Sequence, residues 1–323
     1  MSAPETGLVG DIGATNARFA LVWPDGTTST PRAYVLDDHP SLVGAIDAYL
    51  TDEAPLARPK QAVLAVACPV TGDVIKLTNH SWTFSIEAIR QHFGLRRLRV
   101  VNDLAAHAIA IPCLGEGDRI QIGSGSPVAD APIGLIAPGT GLGMSALIPT
   151  AHGVTPIEGE GGHVTMAPAD AKESAVLELM RRRYDHVSAE RVVSGLGLVN
   201  LYNALCELAG APAGPFTAAQ ITNPQTWDED ARTREATMMF CAMLGTLAGN
   251  LALTLGSRGG IYIAGGIVPK LSTTFAESGF RARFEAKGRF RGYLAAIPTY
   301  VIVRPLSGLV GAAELLERVP EPR

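Results

Sequence analysis

The first hundred residues alternate short apolar runs with longer stretches in which apolar residues recur at helical spacing. Residues 8–10, 19–22, 33–36, 62–67 and 99–101 are rich in Val, Leu and Ala and bounded by turn residues, which predicts strands. Residues 41–50 and 86–93 carry the helical period between them, and Ser85 ahead of Ile86-Glu87 marks a helix start. A further helix is predicted over 104–111. This alternation implies an α/β layer architecture with a mixed sheet. A second such unit begins near Pro132. Its opening stretch at 133–149, IGLIAPGTGLGMSALIP, follows the logic of GLVGDIGATNARFALV at 7–22. Each has an apolar strand, a turn of small residues with Thr, and a second apolar strand. The recurrence suggests two related halves facing a shared cleft.

Beyond Pro168 the pattern turns helical over 169–184, 196–208, 217–221 and 231–256. A short strand at 261–264 is closed by Gly265-Gly266, and a strand at 299–303 precedes Gly308 and a last helix over 309–318. Residues 236–257 carry no charge and are long enough to span a bilayer. Wholly apolar helices also occur in large cores, and the Gly, Thr and Asn250 within this one favour that reading, so no membrane partner is expected.

A chain of 323 residues with 47% hydrophobic and 18% charged residues is globular and has room for two domains. The formal charge of −4 and the lack of a basic block beyond Arg181–Arg183 argue against nucleic acid as a partner. Cys68, Cys113, Cys206 and Cys241 form no C-x-x-C pair and no Cys/His ligand spacing, which implies a reduced, cytoplasmic protein. No basic segment followed by an apolar one opens the sequence, so no signal peptide is expected.

The sequence contains no Walker-type phosphate loop, no G-x-G-x-x-G, no H-E-x-x-H and no G-x-S-x-G. What remains is more specific. Asp11 stands at the end of a predicted strand, where ligands of α/β folds bind. Gly13 then lets the backbone approach closely, and Thr15 and Asn16 add short polar groups. Backbone N–H groups in such a turn attract anions. A carboxylate beside phosphates is repulsive unless a cation lies between, so Asp11 implies Mg²⁺, directly or through water. The same logic fits Gly139-Thr140-Gly141-Leu142-Gly143, where alternate glycines leave room for a phosphate. Asp103, just past a buried strand, is either the cap of the helix that follows or a catalytic base. Glu160 and His163, in Glu158-Gly159-Glu160-Gly161-Gly162-His163, suit a metal site, an acid/base pair or a grip on a neutral ligand. The several hydroxyl groups of such a ligand would match carboxylate plus imidazole.

In this order, GDIGATNARFAL, TNHSWTFSI, VVNDLAAHAIAIP, PGTGLG, EGEGGHV, SAERVVSGLGLVNLY, IAGGIVPK and SGFRARFEAKGRF resemble the bacterial glucokinases of the hexokinase–actin–Hsp70 superfamily. The resemblance runs from residue 7 to about residue 311. It implies a two-domain actin-like ATPase fold (RNase H-like, duplicated) with a ligand cleft between the domains. The small domain would be 1–113 plus 304–323, and the large domain 114–303. It implies ATP-dependent phosphorylation of D-glucose to glucose 6-phosphate in glycolysis, with ATP and Mg²⁺ and a homodimer. Another hexose, another phosphoryl donor or a non-catalytic sugar sensor are the alternatives. By motif position Asp103 matches the catalytic base, and Asn102, Glu160, His163 and Glu190 match sugar ligands, with Asn79 bordering the sugar. Gly10, Asp11, Ile12, Gly13, Ala14, Thr15 and Asn16 match the first phosphate element. Gly139, Thr140 and Gly141 match the second, and Gly265 and Gly266 the adenosine element. Three departures stand out. Ala14 replaces a second glycine. Pro138 lacks a donor, so phosphate contacts should begin at Gly139 or later. The cysteine-rich zinc motif of the related repressor/kinase group is missing, so no structural zinc is expected.

Overall fold

The computed structural model describes residues 5–53, 58–151 and 153–317. They divide into two compact units, one built from the described residues of 1–114 and 304–323, the other from 115–303.

The first unit carries β1 (Gly7–Ile12), β2 (Asn16–Val22), β3 (Arg32–Val35), β4 (Gln61–Val66), β5 (Val74–Lys76), β6 (Thr83–Ser85) and β7 (Arg97–Asn102). Its main sheet has the order β3-β2-β1-β4-β7, while β5 and β6 form a separate hairpin. β1 runs antiparallel to β2 and parallel to β4, which is parallel to β7. Helices α1 (Leu42–Glu53), α2 (Ile86–His92) and α3 (Asp103–Ala110) lie between the strands. The core gathers Leu8, Phe19, Tyr49, Leu64 and Val100, with the Phe19 and Tyr49 rings 5.7 Å apart.

The second unit carries β8 (Arg119–Ile122), β9 (Ile133–Pro138), β10 (Leu142–Thr150), β11 (Gly153–Gly159), β12 (Gly260–Ile263) and β13 (Thr299–Ile302), in the order β11-β10-β9-β12-β13-β8. Its helices are α4 (Ala171–Arg181), α5 (Gly195–Leu208), α6 (Ala218–Ile221), α7 (Pro224–Glu229), α8 (Ala231–Leu255), α9 (Val268–Leu271), α10 (Thr273–Glu277), α11 (Phe280–Glu285) and α12 (Arg291–Ala295). The last helix, α13 (Ser307–Glu317), belongs to the first unit. It packs so closely on α3 that a Cβ at Gly311 would lie 1.7 Å from the Ala106 carbonyl oxygen.

The two sheets share one plan. An antiparallel meander is followed by two parallel strands, so β1, β2, β3, β4 and β7 correspond to β9, β10, β11, β12 and β13. The match extends to single bonds. Ala67 N–H donates to Ile12 O at 3.0 Å, and Ala264 N–H donates to Ile136 O at 2.9 Å. The repeat suggested by 7–22 and 133–149 is thus a duplication of the whole sheet.

The charge-free stretch becomes α8, a core helix of the second unit rather than a membrane span. Gly245 and Gly249 leave the gap that α11 fills, since a Cβ there would lie 2.2 Å from Phe280 O and 2.7 Å from Phe284 O. Two details differ from the sequence expectation. Leu36 leaves the strand for a short 3-10 turn because its N–H bonds to Thr15 O at 3.0 Å. β5, β6, β8, β11 and several short helices were not foreseen. Of the predicted last helix, residue 318 lies outside the described residues.

Candidate active site

In the first unit the chemistry gathers at the carboxyl ends of parallel strands, the edge where α/β folds bind ligands. Ile12, Val66 and Asn102 are in register across β1, β4 and β7, so Asp11 and the Asn102-Asp103 pair share that edge. The question of cap or base at Asp103 divides between neighbours. Asn102 is the cap of α3, accepting Leu104 N–H at 2.9 Å. Asp103 is the first residue of the helix, and its Oδ1 takes the same N–H at 2.8 Å. Its carboxylate therefore stands at the positive end of a helix. Nearby Cys68 is held as a thiol: burial, helped by the Asp103 charge, raises it to about 11.

Behind Asp11 lies a group that the motif comparison did not single out. His107, one turn after Asp103, bonds to Ser307 Oγ at 2.9 Å. Burial lowers its pKa, and the Asp11 carboxylate works in the opposite direction. The signal was present as a lone imidazole in an otherwise apolar helix, four residues after an acid.

The turn between β1 and β2 uses part of its own donor supply. Gly13 N–H bonds to Asn16 O at 3.0 Å, while Ala14 and Thr15 make the crest of the turn. Gly10 and Ile12 are packed inside the unit. A Cβ on Gly10 would meet Leu64 Cδ2 at 2.7 Å, and Ile12 is buried in the core. They hold the strand that presents Asp11. Asn79 is exposed on the tip of the β5–β6 hairpin. That tip is anchored by His80, whose Nδ1 accepts Trp82 N–H while Nε2 faces Asp37 at 3.2 Å.

In the second unit, Gly139–Gly141 joins β9 to β10. Gly139 N–H is taken by Gly141 O at 2.8 Å, so any anion contact through the amides of this loop would begin at Thr140. The space above Gly141 is also occupied, by Glu190. Its Oε2 accepts Leu142 N–H at 2.9 Å and would lie 2.5 Å from a Cβ at position 141. Glu160 and His163 are both exposed, with 3.9 Å between carboxylate and imidazole. Gly265 needs to be glycine twice over. Its φ is +83°, and a Cβ would lie 2.2 Å from Pro138 O at the end of β9. Gly266 has open space above it.

Among the described residues, no three His, Cys, Asp or Glu side chains cluster as a metal cage. That donor set fits Mg²⁺ held by one carboxylate, since this ion keeps waters and takes its other ligands from phosphates. Asp11, at the carboxyl end of β1, could hold such an ion.

Comparison with known proteins decides the family. The glucokinase family model matches residues 8–319. The chain belongs to the glucokinase family. A glucokinase of Aromatoleum aromaticum is 49% identical over 311 residues, covering 96% of this chain and 94% of that protein. A glucokinase of Paramagnetospirillum magneticum is 50% identical over 310 residues, covering 96% and 97%. Among solved structures, a glucokinase from an Antarctic psychrotroph superimposes with a TM-score of 0.88 at 35% identity, over 98% of this chain and 99% of the other. The glucokinase match thus spans both units, and with it the two-domain α/β fold.

Proposed function

We propose that this protein transfers the γ-phosphoryl group of ATP to the 6-hydroxyl of D-glucose, with Asp103 as general base. The observation that carries the activity is identity near one half with glucokinases along almost the whole chain. The role of Asp103 rests on its place at the head of α3, on the ligand-binding edge of the sheet beside Asn102.

Each residue then has a defined task. Asn102, Glu160, His163 and Glu190 bind sugar hydroxyls, with Asn79 at the border of that site. Asp103 takes the proton of the 6-hydroxyl and aims its oxygen at the γ-phosphorus, which is mostly a matter of positioning. The turn after β1 and the loop from Thr140 onward hold phosphates through backbone N–H groups. Gly266, with open space above it, leaves room for the adenosine, and Gly265 shapes the turn that carries it. Bound Mg²⁺, held by Asp11, would supply charge neutralisation on the phosphate oxygens. Glu160 and Glu190 would select against sugars with a missing or inverted hydroxyl, since such a sugar leaves a carboxylate acceptor without its partner in the bound complex.

The protein is also taken to act in the cytoplasm as a homodimer. Four free cysteines accord with a reducing compartment, and light scattering reads the subunit number. A coupled assay across glucose, mannose, fructose and N-acetylated hexoses, with ATP and polyphosphate as donors, tests the function itself. Glucose with ATP should give the highest kcat/KM; a higher value for any other pair would overturn the assignment.

A further inference from the structure

The second phosphate loop and the elements assigned to the sugar are clasped together through one residue, Leu142. Its N–H donates to Glu190 Oε2 at 2.9 Å. Its carbonyl oxygen packs on the Glu160–His163 turn so tightly that a Cβ at Gly162 would lie 1.9 Å away. The other end of the loop is tied to the same neighbourhood. Gly195 N–H donates to Gly139 O at 2.8 Å, and Ser194 Oγ–H donates to the Glu190 carbonyl at 2.7 Å. Every one of these contacts lies inside the second unit.

We propose that Glu190 is a positioning residue for the phosphate loop, so that sugar and nucleotide sense one another through its carboxylate. Oε2 fixes the Leu142 amide while the remaining acceptor capacity of the carboxylate meets the sugar. A bound sugar holds the carboxylate, and with it the loop, in the conformation that receives phosphate. Coupling of this kind is reciprocal, so nucleotide must strengthen sugar binding by the same factor. The proposal rests on the assignment of Glu190 to the sugar, and it explains Gly141. That glycine makes room for a protein carboxylate, not for a phosphate.

Calorimetry with each ligand alone tests this. Glucose is titrated without nucleotide into wild type and Gly141→Ala, and AMPPNP with Mg²⁺ is titrated without sugar into wild type, Glu190→Ala and Glu190→Gln. Gly141→Ala crowds only the flexible end of Glu190, so the fold should survive. Its nucleotide-free affinity for glucose should fall about fivefold or more, the usual lower range of coupling between sites. Glu190→Ala should weaken AMPPNP by a similar factor, and Glu190→Gln, which keeps an acceptor for Leu142, should restore most of it. Unchanged glucose binding by Gly141→Ala, or wild-type AMPPNP affinity in Glu190→Ala, would overturn the coupling alone. A wild-type protein that binds AMPPNP but no glucose would overturn the sugar assignment beneath it.

Discussion

Gly308 faces the Asp11 carboxylate across space that a side chain would fill: a methyl group at 308 would stand 3.3 Å from Asp11 Cγ and Oδ2, and 3.4 Å from His107 Cε1. Position 308 lies in the first turn of α13, and alanine is a better helix former than glycine. Gly308→Ala should therefore leave the melting temperature unchanged or higher while kcat falls several-fold, since Asp11 must give way by a few tenths of an ångström. Loss of stability together with full kcat would contradict the crowding of Asp11.

Gly265 and Gly266 make a matched pair. Gly265→Ala forces a side chain into a left-handed backbone and against Pro138, at a cost of about 2 kcal/mol or more. Gly266→Ala meets open space and should melt within about 0.5 kcal/mol of wild type. Denaturant titration of both variants reads the difference.

Asp230 caps α8 and accepts from Arg232 Nε at 2.7 Å, Arg232 Nη2 at 3.0 Å and the Tyr202 hydroxyl at 2.8 Å. The bond from Arg232 is the chief reason its pKa lies below the ordinary 3.8. A depressed carboxyl binds fewer protons folded than unfolded, so its contribution is complete above pH 3.8 and is lost as pH falls through and below that value. Asp230→Asn should cost about 1–3 kcal/mol at pH 7. The gap to wild type should narrow as the pH drops below 3.8. A gap constant across pH would remove the charge from the explanation.

Of the four free thiols, Cys113 is exposed, whereas Cys68, Cys206 and Cys241 are buried. Burial raises Cys68 to about 11 and Cys241 to about 12, so neither forms thiolate at neutral pH. Iodoacetamide on the native protein should give one adduct, at Cys113, by mass spectrometry. Fast labelling of Cys68 would place solvent where the packing around its own side chain excludes it.

The central sheets were legible because their inner strands are nearly uniform apolar runs: LVG before Asp11, AVLAV in β4, and IGLIA in β9. β11 was not legible. It is an edge strand whose residues are mostly exposed, with Pro156 in its middle, so it has neither an apolar run nor clean alternation. β5 and β6 span three residues each, too short for any period to show. At the site, the acids and glycines were visible as residue types, but the use of each was not. Gly141 reads as phosphate space in sequence, yet only the fold brings Glu190, far along the chain, on top of it. His107 and Ser307 are likewise 200 residues apart and meet because α13 packs on α3.

The most direct test of the account is the Asp103→Asn variant, assayed for ATP-dependent phosphorylation of glucose and, separately, for glucose binding by calorimetry. Asparagine keeps the size of the side chain and an acceptor for Leu104 N–H but cannot take the proton of the sugar hydroxyl. The account predicts a fall in kcat of about 10²-fold or more, the usual contribution of a general base, with glucose still bound. Turnover near that of wild type would contradict it.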